Sequence, residues 1–133
     1  MLAKTVTNFP SNSAVNETEL RKGQIWYAKL NGEGSVQKST RPVLVFQNDM
    51  ASRHSPCVLI LPISSKTNKR SLPTHVFLDK NVGLSVDSVV LCEQITTIDK
   101  TQLINFTGIT LDKAKMMEVL KGIMIQLGVS IKG

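Results

Sequence analysis

Cysteine is scarce in this chain of 133 residues, which has two, Cys57 and Cys92. Each lies in an apolar run, Pro-Cys-Val-Leu-Ile or Val-Val-Leu-Cys, where a free thiol behaves as a small core residue. With no Cys-x-x-Cys pair and no histidine at ligand spacing, a structural zinc site is excluded. Long apolar runs are absent too, so no segment approaches the ~20 residues of a membrane span. Met1-Leu-Ala-Lys4 turns polar almost at once, which argues against a secretory leader. These absences predict a reduced, cytoplasmic protein without a membrane partner. Acidic residues are also few, 10 against 16 Lys and Arg, giving a net charge of +6 and a pI near 9.6. That surplus suits a polyanionic partner, although charge without clustering also fits many mildly basic proteins.

What is present supports one packed domain. The apolar share is 41%, and the length is enough for one domain and too short for two ordinary ones. Residues 1–20, rich in Thr, Asn and Ser, read as a flexible tail with one helical turn near Glu17–Leu20, and residues 21–133 read as the folded domain. Gln24–Leu30 carries the β-favouring Ile, Trp and Tyr, and Asn31-Gly-Glu-Gly-Ser35 opens a loop expected to run to about Thr40. Pro42–Phe46 is continuously apolar, as in a strand buried on both faces, and Cys57–Ile63 behaves alike, with Pro62 suggesting a bulge or an edge. Lys66–Ser71 is a basic loop. Thr74–Leu78 and Ser88–Cys92 are short strands separated by a turn at Asn81-Val-Gly83, and Asn105–Ile109 is a further strand after a helical turn near Lys100–Leu103. A last helix is expected from an N-cap at Thr110, with Asp112 in its first turn. Its stripe Ala114, Met117, Leu120, Met124, Leu127 would serve as core or dimer face, Gly122 costs it about 1 kcal/mol, and Gly128 stops it. Several short strands and one helix predict a mainly β protein with a small, barrel-like antiparallel sheet closed by the C-terminal helix.

Chemistry-bearing residues collect at the strand ends and loops. Arg41 places a permanently charged guanidinium, whose planar fork fits phosphate oxygens, at the mouth of the Pro42–Phe46 strand. An ordinary surface ion pair is the simpler reading of such an arginine. Ser64 ends an apolar run, and Asn48-Asp49 and Glu93-Gln94 end two others, where turn formation and solvated strand ends are the plain alternatives. His54 and His75 are weaker acid–base candidates. Trp26 reads as packing.

In order and separation, Gly34-Ser-Val-Gln37, Arg41-Pro-Val-Leu-Val-Phe-Gln-Asn-Asp49, Ser64, Leu72-Pro-Thr-His-Val76 and Glu93-Gln-Ile-Thr-Thr-Ile-Asp-Lys100 resemble the MazF/PemK family of toxin endoribonucleases, the mRNA interferases of type II toxin–antitoxin systems. The resemblance runs from about Lys22 to about Gly128. It implies an SH3-like, PemK/CcdB-like barrel and a homodimer that binds single-stranded RNA across its dimer face. It also implies an acidic MazE-like antitoxin as partner and no cofactor or metal. Arg41 then corresponds to the catalytic arginine, and Ser64 stands where the family usually has a catalytic threonine. Ser35, Gln37, Asn48 and Gln94 are the implied RNA contacts, with Gln94 suited to reading base edges. Lys66, Lys69, Arg70 and Lys38 would neutralise phosphates, and the few aromatics argue against extensive base stacking. Val36 departs from the family pattern Gly-Ser-Glu-Gln. Valine carries no proton, so either another group or solvent acts as base, or this branch dispenses with that glutamate. A non-cleaving, CcdB-like gyrase poison and a degenerate antitoxin-binding member are the alternative readings.

Overall fold

A computed structural model describes residues 19–34, 36, 38–67 and 72–130. Most of the expected N-terminal tail, together with Ser35, Gln37, Lys69 and Arg70, lies outside the described residues. Leu20, assigned to the tail from sequence, is buried in the core.

Among the described residues, seven strands form one antiparallel sheet: β1 Gln24–Asn31, β2 Lys38–Val45, β3 Cys57–Ser64, β4 His75–Leu78, β5 Ser88–Leu91, β6 Thr96–Asp99 and β7 Leu103–Thr110. The strand order is β4-β5-β3-β2-β1-β7, with β6 pairing β3 off that path. Among the described residues β4 and β7 end the path without pairing each other, so the sheet is mainly antiparallel, as expected, but not closed. The described residues also include two α-helices, α1 Asp49–His54 and α2 Lys113–Leu127, and short 3-10 turns at Lys80–Val82, Cys92–Gln94 and Lys100–Gln102.

The continuous apolar runs of β2 and β3 follow from burial on both faces. Trp26, Ala28, Leu30, Val43, Val45, Val58 and Ile60 belong to one core, while Ile25, Leu44, Leu61 and Ile63 belong to a second core shared with α2. Period-two alternation sends successive side chains into different cores. Trp26 is core packing, as expected, its ring 5.6 Å from that of Phe106 and its Nε1 donating to Gln24 Oε1 at 2.9 Å. Pro62 sits at a branch point. Cys57–Ile60 pair with β6 and Ile63–Ser64 with β5, so a residue without an N–H falls where the ladder changes partner.

Three expectations are corrected. β2 begins at Lys38, pairing with Asn31, so the β1–β2 connection is shorter than expected and Arg41 lies inside the strand, not at its mouth. Thr110 pairs with Gln24 as the last residue of β7, and the α2 N-cap is Asp112, whose side chain accepts from Lys115 N–H at 2.8 Å. The face of α2 is the third. Val119, Gly122 and Ile123 are buried, whereas Met117 is 52% and Leu127 65% exposed. Both faces of this helix are apolar, so periodicity cannot choose between them. Gly122 does: a Cβ built there would lie 2.7 Å from Cys92 Sγ and 3.4 Å from the Thr74 carbonyl.

Gly122→Ala therefore sets two effects against each other. Helix propensity favours alanine by about 1 kcal/mol, and overpacking costs about 1–3 kcal/mol. A net destabilisation of about 1 kcal/mol is expected in urea unfolding. A more stable Gly122→Ala protein would refute the close approach.

Candidate functional site

Three strands supply neighbouring positions on one face of the sheet. Trp26 pairs with Val43 and Val43 with Pro62. Two residues along β1 and β2, Ala28 pairs with Arg41, and the same register carried forward on β3 sets Arg41 opposite Ser64. Ala28, Arg41 and Ser64 therefore form one row. The β2–β3 ladder stops at Val43–Pro62, so the row stands just past its end, where β3 pairs with β5. Ser39, two residues before Arg41, has a left-handed backbone with φ 71°, an uncommon conformation for a residue with a side chain.

Arg41 is half-buried. Ser64 is 5% exposed, and its Oγ accepts from Lys66 N–H at 3.1 Å. That bond orients a hydroxyl which the serine side chain alone, lacking threonine's methyl, would hold less firmly, and the O–H retains its capacity to donate. Lys66 itself is exposed.

On the same face opens a groove of about 480 Å³. Leu30 and Pro62, one step along from Ala28 and Ser64, contribute to its floor, with Val36 of the β1–β2 connection and Glu93 and Gln94 around it. Glu93 and Gln94 belong to a 3-10 turn, Cys92–Gln94, and both are half-buried. Glu93 is not a solvated strand end. Its Oε1 accepts from Thr74 Oγ1 at 3.0 Å, and its Oε2 lies 3.2 Å from His75 Nε2. His75, expected to be structural, is part of this cluster, and His54 is exposed at the end of α1.

The cysteine of the turn fastens it to the scaffold. Cys92 N–H donates to the Thr74 carbonyl at 3.1 Å, and Cys92 Sγ–H to the Val119 carbonyl at 3.7 Å. Burial, helped by the charge of Glu93, pushes the Cys92 thiol up to about 12. Behind the neighbouring strands, buried Lys100 donates to the Ser52 carbonyl, tying the turn after β6 to α1. Burial lowers its pKa, an effect opposed by Cys57.

Arg41 and Ser64 thus share the sheet face of Pro62, which lines the groove together with Gln94, while Arg41 and Ser64 themselves are not among its lining residues. Asn48 is elsewhere, seven residues beyond Arg41 and so up to about 20 Å along the chain direction. It is the N-cap of α1, with Oδ1 accepting from Ala51 N–H at 2.8 Å. Sequence reasoning missed the link between Thr74 and Glu93. The signal was present, since Thr74-His75 and Glu93 both lie in the quoted motifs, but their pairing depends on the β4–β5 register, His75 opposite Leu91.

Residues 21–127 match the family model described as PemK-like, MazF-like toxin of type II toxin–antitoxin system. The chain belongs to this family. It is 41% identical over 111 residues to an endoribonuclease MazF of Staphylococcus saprophyticus, covering 82% of this chain and 92% of that one. Among solved structures, the Mycobacterium tuberculosis toxin MazF-mt6 superposes with a TM-score of 0.69 at 26% identity, covering 81% of this chain and 99% of the other. An endoribonuclease from a Mycobacterial species, solved in complex with its cognate antitoxin, shares the fold, with a TM-score of 0.64 at 20% identity over 86% of this chain and 99% of that one.

The buried Cys92 gives this toxin-family chain an alkaline signature. The folded protein holds the thiol proton up to about pH 12, whereas the unfolded thiol releases it near the ordinary value of 9.0. Below pH 9 both states are protonated, and above it the unfolded state loses its proton first, so stability falls between about pH 9 and about pH 12. Urea unfolding across that window should show a smaller decline for Cys92→Ala than for the unaltered protein. Equal slopes would show that another group controls the alkaline limb.

Proposed function

We propose that the chain is a toxin endoribonuclease of a type II toxin–antitoxin pair, cutting single-stranded mRNA at selected sequences in the cytoplasm without a metal. The family match and the endoribonuclease relative favour cleavage over the gyrase-poison and degenerate-member readings. One observation supports placing the chemistry beside the groove: Arg41 and Ser64 fall on the sheet face of Val43 and Pro62, and Pro62 lines the groove together with Gln94.

In this reading the 2′-hydroxyl of one nucleotide attacks the adjoining phosphorus, the bond to the 5′-oxygen breaks, and a 2′,3′-cyclic phosphate and a 5′-hydroxyl result. The protein's task is to align the phosphate and stabilise charge on its non-bridging oxygens. The Arg41 guanidinium supplies that charge, and the Ser64 hydroxyl donates to the same phosphate. Ser35, Gln37 and Gln94 contact the RNA, Gln94 through base edges, and exposed basic residues such as Lys66, two residues after Ser64, meet neighbouring phosphates. Asn48 is left to its capping role. Val36 presents an apolar side chain to the groove, so the proton of the 2′-hydroxyl leaves to another group or to solvent.

The partners follow from the same surfaces. No described helix is long and apolar enough to cross a membrane. The outward stripe of Met117, Leu120 and Leu127 on α2 fits a homodimer face. An acidic antitoxin segment would compete with RNA for the positive charge around the groove, with affinity falling as salt rises.

Arg41→Ala should lower single-turnover RNA cleavage by about a hundredfold or more while circular dichroism stays unchanged. An RNA carrying deoxyribose just 5′ of the scissile phosphate should bind but resist cutting. Near-normal cleavage by Arg41→Ala, or efficient cutting of the deoxy substrate, would overturn the mechanism.

A further inference from the structure

We propose that Thr74, His75 and Glu93 form a positioning bracket that sets base selectivity by holding the turn that carries Gln94. The role rests on the reading of the groove as an RNA site.

The bracket joins two segments distant in sequence. From the turn just before β4, Thr74 reaches Glu93 with its hydroxyl, 3.0 Å from Oε1, and its carbonyl accepts from Cys92 N–H at 3.1 Å. His75, next along, meets the other carboxylate oxygen at 3.2 Å. Its Nδ1 accepts from Leu72 N–H at 3.4 Å, which selects the tautomer with the proton on Nε2, directed at Glu93. Both oxygens of Glu93 are therefore engaged, by His75, held through its pairing with Leu91, and by Thr74, held through its carbonyl's bond from Cys92 N–H. The carboxylate cannot rotate without breaking one of them.

Gln94 is the next residue and lines the groove beside Glu93. An amide presents a donor and an acceptor, and it discriminates between base edges only if its orientation is held. Packing fixes the turn at its start, through Cys92 against Gly122 of α2. The bracket fixes it in the middle, at Glu93. The His75 and Glu93 side chains are mostly buried, 16% and 23% exposed, so the contact also contributes to stability and selectivity has to be read separately from folding. The placement of a carboxylate in the wall of a groove for a polyanion also needs a reason. Here it is the acceptor for two donors, which offset its charge toward the groove.

The test uses the full chain and reads selectivity separately from rate. Cleavage of a randomised RNA pool gives the base preference at each position. Affinities for uncleavable RNAs, with deoxyribose 5′ of the scissile phosphate and each base in turn at the discriminated position, give the same preference without chemistry. Thr74→Val and His75→Leu remove one donor each and should reduce the preference at one RNA position about tenfold. Saturating single-turnover rates on the preferred RNA should fall less than that preference does. Thr74→Ser and His75→Gln each keep a donor and should retain the wild-type preference. The proposal is overturned if the two loss variants select bases like wild type, if the conservative variants lose selectivity as fully, or if both loss variants fail to fold. Arg41→Ala supplies the separate control: normal cleavage by that variant would remove the groove reading itself, whatever the bracket variants do.

Discussion

Strand β2 lies between two cores, with Val43 and Val45 on one side and Leu44 on the other, all fully buried. A slip of one residue would move Arg41 to the face packed against α2 and place Leu44 on the groove side, at the cost of both cores. The register is therefore specified by burial, and it is inherited by every residue the strand carries. Ala28 on β1 takes its place opposite Arg41 from the same constraint, and Ser64 stands two residues beyond Pro62, where the β2–β3 pairing ends. A guanidinium that must meet a phosphate oxygen in a fixed direction is well served by such a strand, because its backbone cannot adjust independently of the core.

The site's first half is legible in sequence for that reason. Arg41 and Ser64 are visible as polar residues flanking the apolar runs of β2 and β3, although Arg41 lies inside β2 and not at its end. The run understated β2, because Lys38-Ser-Thr40 lacks apolar residues yet pairs fully with Leu30 and its neighbours. Helix α1 was read as a turn: at six residues it is too short to show a period, and Asn48-Asp49 suits an N-cap and a turn equally. The stripe Met117, Leu120 and Leu127 of α2 faces outward, so of its two readings, core or dimer face, the core reading belongs instead to Val119, Gly122 and Ile123. Strand β6, Thr96–Asp99, escaped because its burial pattern has a single buried residue, Ile98.

The site's second half depends on contacts between distant segments, which no local pattern reports. The turn Cys92–Gln94 is held by Thr74 from β4 and by Val119 and Gly122 from α2. Gly122 reads in sequence as a helix weakened by its missing side chain. In the fold, that missing side chain is what lets α2 approach Cys92. The local cost and the tertiary gain are thus the same feature, a conflict between levels that commonly marks a position constrained by packing.

Charge accounts for the remaining tension. A chain of net charge +6 can attract RNA, yet one carboxylate, Glu93, is set into the groove while the family's usual glutamate is replaced by Val36. The two positions are not equivalent. A carboxylate on the loop at position 36 would face the groove from an exposed site, available to take a proton. Glu93 is half-buried and engaged by a hydroxyl and an imidazole N–H, so its lone pairs are directed into the protein. Lending Glu93 to proton transfer would require breaking bonds that position its neighbour Gln94. On the RNA-site reading proposed above, holding the substrate is thereby separated from moving its proton, and Glu93, the one carboxylate among the described residues lining the groove, serves the first task.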